Sequence, residues 1–553
     1  MASIIKGRPC QKRSDSDACF ELLSRWVEEC KSKHTYCSWE DDRRLPSRVI
    51  DVGSISGIND PYLFISDGKR GSWVTLSHCW GGELPIATKS DTIKCRQRVI
   101  QMEELPPTFQ DAVILTRKLG FQYLWIDSLC IIQDCREDWE AEAAVMHEIY
   151  SGASINLSAS AARTAQDGIF ITSNQHRHYM EPFLTLPCYS TIHQIQGPVS
   201  FRLPFECFPD SALQVEPLHK RAWVLQESIL SPRRVDFASC QIHWNCRTSS
   251  LSEGWPDESR DLISTLASGK DLFQMPFGKQ ESNPALERIG TYRKPMSWWY
   301  QTLSSYCTRG ITIHEDLLPA IAGVAKKIKE RTGYHYIAGL WLEDLHRGLL
   351  WQSNGTILRP TLTSAPSWTW ASTNIPWQHG WRHLFLDVYK PDFGVEILHI
   401  GATTTSTDPF AQVASSSLKL YGHWRSLDFW KADLVPVYNK TGRMRLFNRW
   451  LSPVKLGNNE VVPLGRVLCT MDVRSDTETC HSELVMRNLI CMQIAKFEHR
   501  EPWFDHEGFV TVYALILEPT GMRPDEYKRV GIAEIPEDDG MANGWDTRVI
   551  DVV

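Results

Sequence analysis

The chain opens with apolar residues at helical spacing. In "ACFELLSRWVEECKSK" (18–33), Phe20, Leu23, Trp26 and Val27 share one face, which predicts an amphipathic helix. "LPSRVIDVG" (45–53) reads as a short strand. From Trp73 the rhythm changes. "WVTLSHCWGG" predicts a strand that ends in polar residues and a glycine pair. "LPPTFQDAVILTRKLGF" predicts a helix, with Thr108 as its N-cap and Gly120 just past its end. "QYLWIDSLCII" reads as a second strand, and "REDWEAEAAVMHEIYSGA" as a second helix with acids in its first turn, where the helix dipole favours them. "ASINLSASAA" reads as a third strand. Strand–helix–strand–helix–strand is the signature of an α/β fold, here expected to be a parallel three-layer sheet.

Residues 163–215 read as an irregular insert with short strands. "AWVLQESIL" suits a short helix stopped before Pro232, and the residues after it alternate like one strand, marked by Val235, Phe237 and Ile242. "ESRDLISTLASGKDLFQ" and "GKQESNPALERIG" read as loops with a short helix. Residues 296–331 predict two helices around a turn, and "AGLWLEDLHRGLLW" another. From "APSWTWAS" onward the pattern is strands and turns. The expected organisation is an N-terminal helix–strand segment (1–66), an α/β domain (67–250), a helical region (251–364) and a β-rich region (365–553).

Composition narrows the function classes. The 553 residues are 42% hydrophobic with a net charge of -7, which gives no global pull towards nucleic acid. No apolar run of about 18 residues is present, so no membrane span is expected. "MASIIKGRPCQKRSDSD" lacks the apolar core of a secretion signal, so the 16 cysteines are expected as reduced thiols in a cytoplasmic protein. The 22 tryptophans favour thick cores and aromatic-lined clefts. Walker A, H-E-x-x-H and G-x-S-x-G patterns are absent.

Chemistry is expected at the strand exits, because open α/β sheets bind ligands beyond the carboxyl ends of their strands. The first exit carries Ser77, His78, Cys79 and Trp80, and the second Asp127, Ser128 and Cys130. Cys130 with His78 and Asp127 has the composition of a nucleophile, a base and an orienting acid. The competing reading makes Cys130 a packed thiol, His78 a core histidine and Asp127 an anchor. Gly81 and Gly82 permit close backbone approach to a ligand. Arg221 and Glu227 flank "AWVLQ", either as an ion pair tying that segment to the sheet or with Glu227 as an acid/base or ribose ligand. Cys30, His34 and Cys37 have metal-ligand chemistry, but a fourth ligand is not evident nearby, and packing is the expected role with no metal assigned.

Four ordered blocks, "WVTLSHCWGG" (73–82), "YLWIDSLCIIQD" (123–134), "DWEAEAAVMHEIYSGA" (138–153) and "KRAWVLQESILSPRRVDFA" (220–238), resemble the heterokaryon incompatibility (HET) domain of filamentous fungi. The flanks "WVEECKSKHTYC", "APSWTWAS" and "YKRVGIAEI" resemble that family's surroundings. The resemblance implies non-self recognition and programmed cell death, with protein partners or self-association, and a TIR/flavodoxin-like core. Some TIR domains cleave NAD with a glutamate, so NAD becomes a conceivable substrate, with Glu140, Glu142 and Glu227 as candidate glutamates. The WD-type repeats of many incompatibility regulators are absent here. Three readings follow: a signalling module, an enzyme of the strand-end crevice (nucleotide cleavage or thiol chemistry), and a scaffold whose polar strand ends are structural.

Overall fold

A computed structural model describes residues 7–53, 59–82, 86–171, 184–192, 194–201, 216–255, 295–351, 365–372, 392–405, 408–410, 412–426, 489–499, 509–536 and 545–553, together with short strands between 434 and 471. The chain divides into two units, residues 1–276 and 277–553.

In the first unit, α1 (Asp17–Lys33) is capped by the Ser16 hydroxyl and buries Cys19, Leu23, Trp26 and Cys30. The sheet-forming strands are β1 (Arg48–Asp51), β2 (Tyr62–Ile65), β3 (Trp73–Ser77), β4 (Tyr123–Trp125), β5 (Ile155–Ser158), β6 (Arg233–Phe237), β7 (Ile242–Cys246) and β8 (Ser250–Ser252). Between them run α2 (Pro107–Lys118), the single turn α3 (Asp127–Cys130), α4 (Arg136–Gly152) and α5 (Ala222–Leu230). The sheet order is β8-β7-β6-β5-β3-β4-β1-β2.

The four middle strands are parallel, β4-β3-β5-β6. Their residues are buried almost without break, as expected for strands covered on both faces. After β3 the chain passes to β4 on one side, then returns to β5 on the other. The direction of winding therefore reverses between β3 and β5, a topological switch point.

The sheet is mixed, not wholly parallel. β1 and β2 add antiparallel on one side, and β7 and β8 on the other. The segment expected as one strand after Pro232 is a hairpin, because Ala238 to Gln241 turn the chain and Phe237 pairs with Ile242. The second expected strand is also shorter than its apolar run. It stops at Trp125, and Asp127 to Cys130 wind into a helical turn. Thr108 is not an N-cap: α2 starts at Pro107, whose fixed φ suits a first helical position, and the Thr108 hydroxyl instead accepts the Gly168 N–H at 3.2 Å. Gly120 follows α2 at φ +83°, the left-handed end that the sequence marks.

Arg48 ties β1 to the helical layer. Its Nη2 meets both carboxylate oxygens of Asp138 at 2.7 Å and Glu142 at 3.3 Å, while its Nε donates to the Cys130 carbonyl at 2.6 Å. Of the expected insert, 184–190 and 195–201 form an antiparallel hairpin, while 172–183 and 202–215 lie outside the described residues. The loops and helix expected between 256 and 294 also lie outside them.

The second unit contains helices Pro295–Tyr306 and Pro319–Thr332, the latter ended by Gly333 at φ +73°. The helix expected over 338–351 is instead a short strand, a 3-10 turn and a single helical turn, Leu345–Gly348. Trp298, Trp299, Trp341, Trp351, Trp368 and Trp370 are fully buried there, so tryptophan supplies much of this core. Among the described residues the β-rich region holds a ten-stranded, largely antiparallel sheet that includes the long strands Val413–Ser426, Phe509–Pro519 and Glu526–Pro536, and a separate hairpin of Pro453–Lys455 with Val461–Pro463. Buried Arg529 lies over the Trp351 ring at 3.5 Å and donates to the Leu349 carbonyl at 2.7 Å. Among the described residues no helix is long and apolar enough to cross a membrane.

Candidate functional site

Parallel register places a polar row across the carboxyl ends of three strands. Ser77 of β3 pairs with Ser158 of β5, which pairs with Asp236 of β6. Two residues earlier on the same faces, Thr75 pairs with Asn156, since strand side chains alternate with period two. Every one of these side chains is buried.

Glu227 reaches this row from α5. The Ser77 hydroxyl donates to Glu227 Oε2 and accepts from Asn156 Nδ2 at 3.0 Å. Thr75 donates to Asn156 Oδ1 at 3.2 Å. Tyr150, from α4, donates to the Leu76 carbonyl at 3.4 Å and lies against Ser77 and Glu227. Burial raises the Glu227 carboxyl to about 7, against the opposing pull of Ser77 and the Arg221 charge. A carboxyl poised there exchanges a proton near neutral pH, which is the requirement for general acid–base work.

Arg221 does not form the expected ion pair with Glu227. Its guanidinium donates to the His78 main-chain carbonyl, which ties the start of α5 to the exit of β3. The contact from this arginine to the sheet therefore runs to a backbone carbonyl and not to the Glu227 carboxylate.

His78 is fully buried, edge-on to Phe109 at 4.9 Å, and burial lowers its imidazole to about 4, so it is neutral at physiological pH. Its Nδ1 stands 3.9 Å from Asp127 Oδ1, beyond hydrogen-bond reach. Asp127 is held elsewhere: Oδ2 accepts from the Trp80 indole at 3.1 Å and Oδ1 from the Ser128 N–H at 2.7 Å. Cys130 is fully buried in α3, and burial pushes its thiol up to about 12, away from the thiolate that a nucleophile requires.

His78 Nε2 and the hydroxyls of Ser128 and Ser158 are buried with no protein partner among the described residues. Orphaned buried polar atoms call for a partner, and these three belong to residues at or just past the ends of β3, β4 and β5. Gly81 leaves β3 at φ +75°, and a Cβ there would meet the Thr164 side chain at 2.4 Å, so this position admits only glycine. Gly82, at φ +117°, faces open space.

The other candidate glutamates stand apart from this row. Glu140 pairs with Arg136 at 2.8 Å on the exposed face of α4, and Glu142 belongs to the Arg48 network. Asn156 and Tyr150 escaped the sequence reading. An asparagine between Ile155 and Leu157 in a strand read as buried was the available signal, since a buried strand carries a polar residue only with partners.

Cys30, His34 and Cys37 do come together, and Cys246 at the end of β7 joins them. The four ligand atoms all lie within 4.8 Å of one another. Sequence proximity concealed the fourth residue, which enters through the β6–β7 hairpin.

The chain thus holds a mixed α/β domain whose polar strand exits converge at a switch point. Residues 73–227 match the family described as Heterokaryon incompatibility protein (HET), and the chain carries a HET domain. That match runs from the first residue of β3 to Glu227, so it encloses the polar row on β3 and β5 and the glutamate that reaches it. Neither the curated proteins nor the solved structures contain a match to the chain.

Proposed function

We propose that this chain is a signalling module of fungal non-self recognition and programmed cell death, and that its signal is chemical: cleavage of a nucleotide of the NAD class in the crevice beyond β3 and β5. The match of residues 73–227 to the HET family is what supports the recognition and death role. The observation that carries the chemistry is Glu227, a buried carboxyl poised near neutrality and hydrogen-bonded to Ser77 at the switch point. Doubly wound sheets bind nucleotides at this place, and the parallel strands, taken in chain order, lie second-first-third-fourth, as in flavodoxin-like folds.

In this reading the ionised Glu227 carboxylate steadies positive charge developing on the ribose as the bond to nicotinamide breaks. The nicotinamide leaves with the bonding pair, and water adds to the ribose carbon and loses a proton. Ser77, Asn156 and Tyr150 position the carboxylate. The orphaned His78 Nε2 and Ser158 hydroxyl are polar contacts for the bound nucleotide. The thiol alternative has less support, because Cys130 is buried and its thiolate disfavoured.

The test is expression of the wild type and Glu227→Gln at matched protein levels in a filamentous host. Death with the wild type and survival with the variant support the proposal. Equal death with both assigns signalling to association with a partner or a second copy, and removes the chemical step.

A further inference from the structure

Cys30, His34, Cys37 and Cys246 form a compact set with tetrahedral dimensions. A zinc ion held at about 2.3 Å by sulfur and about 2.1 Å by nitrogen sets its ligand atoms about 3.6–3.8 Å apart. The His34 Nδ1 to Cys246 Sγ distance is 3.4 Å, and no pair in the set exceeds 4.8 Å. Three of the four residues are buried, and His34 is half-buried.

The local chain is shaped for ligation. Cys30 sits in the last turn of α1, His34 is the C-cap one turn on, and Cys37 closes the following turn through its N–H to the His34 carbonyl at 3.2 Å. Cys246 ends β7. The tight turn after it aims the Ser249 backbone N–H at the Cys246 sulfur, 3.2 Å away, with the Ser249 hydroxyl at 3.3 Å. The Thr248 hydroxyl lies 3.3 Å from the Cys37 sulfur. Donors around sulfur are the outer shell that holds a metal-bound thiolate.

A second observation is independent of the ligands. Arg233 is 2% exposed, and its guanidinium donates to the Cys37 and Ser38 carbonyls and stacks on Trp39 at 4.1 Å. It has no carboxylate partner among the described residues, and its Nε is an orphaned buried donor. Buried charges require compensation. Three thiolates and a neutral imidazole around a divalent cation carry a net charge of minus one, beside that arginine.

We propose that Cys30, His34, Cys37 and Cys246 bind one structural zinc ion, which clips α1 to the antiparallel edge of the HET-domain sheet. The soft thiolate-rich, four-coordinate set selects zinc over harder cations, and four protein ligands leave no open position for catalysis. Binding displaces the three thiol protons to solvent, so occupancy falls on acidification. The site stands apart from the Glu227 crevice and does not rest on nucleotide cleavage.

The test is metal analysis of the full chain, purified under reducing conditions from zinc-supplemented cells. The expected result is about one zinc per chain. Cobalt substitution should give thiolate-to-metal charge transfer with tetrahedral d–d bands. Cys246→Ser should lose at least about tenfold in zinc affinity. Should that variant fail to fold, His34→Cys serves instead: it should keep one zinc and increase the cobalt charge-transfer intensity. A folded wild type with no zinc and no rise in melting temperature on adding zinc overturns the proposal. So does a disulfide between Cys246 and either Cys30 or Cys37 in a parallel preparation whose thiols are alkylated at lysis with no reductant added.

Discussion

Ser77 and Glu227, 150 positions apart in the chain, share a buried hydrogen bond at the point where the winding of the sheet reverses. Ser77→Ala should leave the Glu227 carboxyl desolvated and without that donor, pushing its proton affinity further up. The expected cost is about 1–3 kcal/mol of stability, and any pH–activity midpoint should move above its wild-type value. Denaturant melts and a pH–rate profile check both parts. An unmoved midpoint shows that Ser77 does not tune the carboxyl.

Cys130 offers a clean separation between thiol and carboxyl chemistry. Its thiol is fully buried and raised to about 12. Cys130→Ala should retain activity and cost about 1 kcal/mol through lost packing. Loss of activity in a variant with an unchanged melting curve would return the nucleophile to consideration.

Two sets of buried groups give opposite pH dependences. His78 and His243 are lowered by burial to about 4 from 6.5, so the unfolded chain binds more protons than the folded one between these values. Their contribution is present above pH 6.5 and is lost as pH falls towards 4. Glu227 is raised to about 7 from 4.5, so its contribution is present below pH 4.5 and is lost as pH rises through 7. Each group accounts for up to about 3 kcal/mol. Melting temperatures from pH 4 to 8 should lose their acid-side slope in part with His78→Asn. The fall between 4.5 and 7 should flatten with Glu227→Gln.

Gly81 is the steric keystone of the β3 exit. Its φ is +75°, and a Cβ added there would stand 2.4 Å from the Thr164 side chain, which leaves no room for a larger residue. Gly81→Ala should destabilise by about 2 kcal/mol or more, whereas Gly82→Ala meets no neighbour and should cost only its backbone strain. Paired thermal melts of the two variants test the difference.

Much of this domain was legible in the chain because burial writes itself as periodicity. The strands at Trp73, Tyr123 and Ile155 and the helices between them follow from apolar runs and amphipathic spacing. The antiparallel edges did not show, because Val235, Phe237 and Ile242 alternate alike whether the strand continues or turns back at Ala238. Apolarity also overstated β4: "IDSLCII" is buried as a helical turn, and burial alone does not distinguish the two. At the strand exits, Ser77, His78 and Asp127 were marked by their place at strand ends. Their partners Asn156 and Tyr150 were not, since only the parallel register of β3 with β5 and the packing of α4 bring them in. Cys246 stayed hidden for the same reason. A ligand set split between a helix end and a distant hairpin has no spacing to read.

Everything proposed for the crevice turns on Glu227 performing chemistry on a nucleotide. The deciding assay incubates the purified full chain, and Glu227→Gln beside it, with NAD and follows products by mass spectrometry. Nicotinamide and ADP-ribose are expected from the wild type, with a loss of at least about 100-fold in the variant. Unchanged NAD with the folded wild type, or equal product from both proteins, would contradict that role for Glu227.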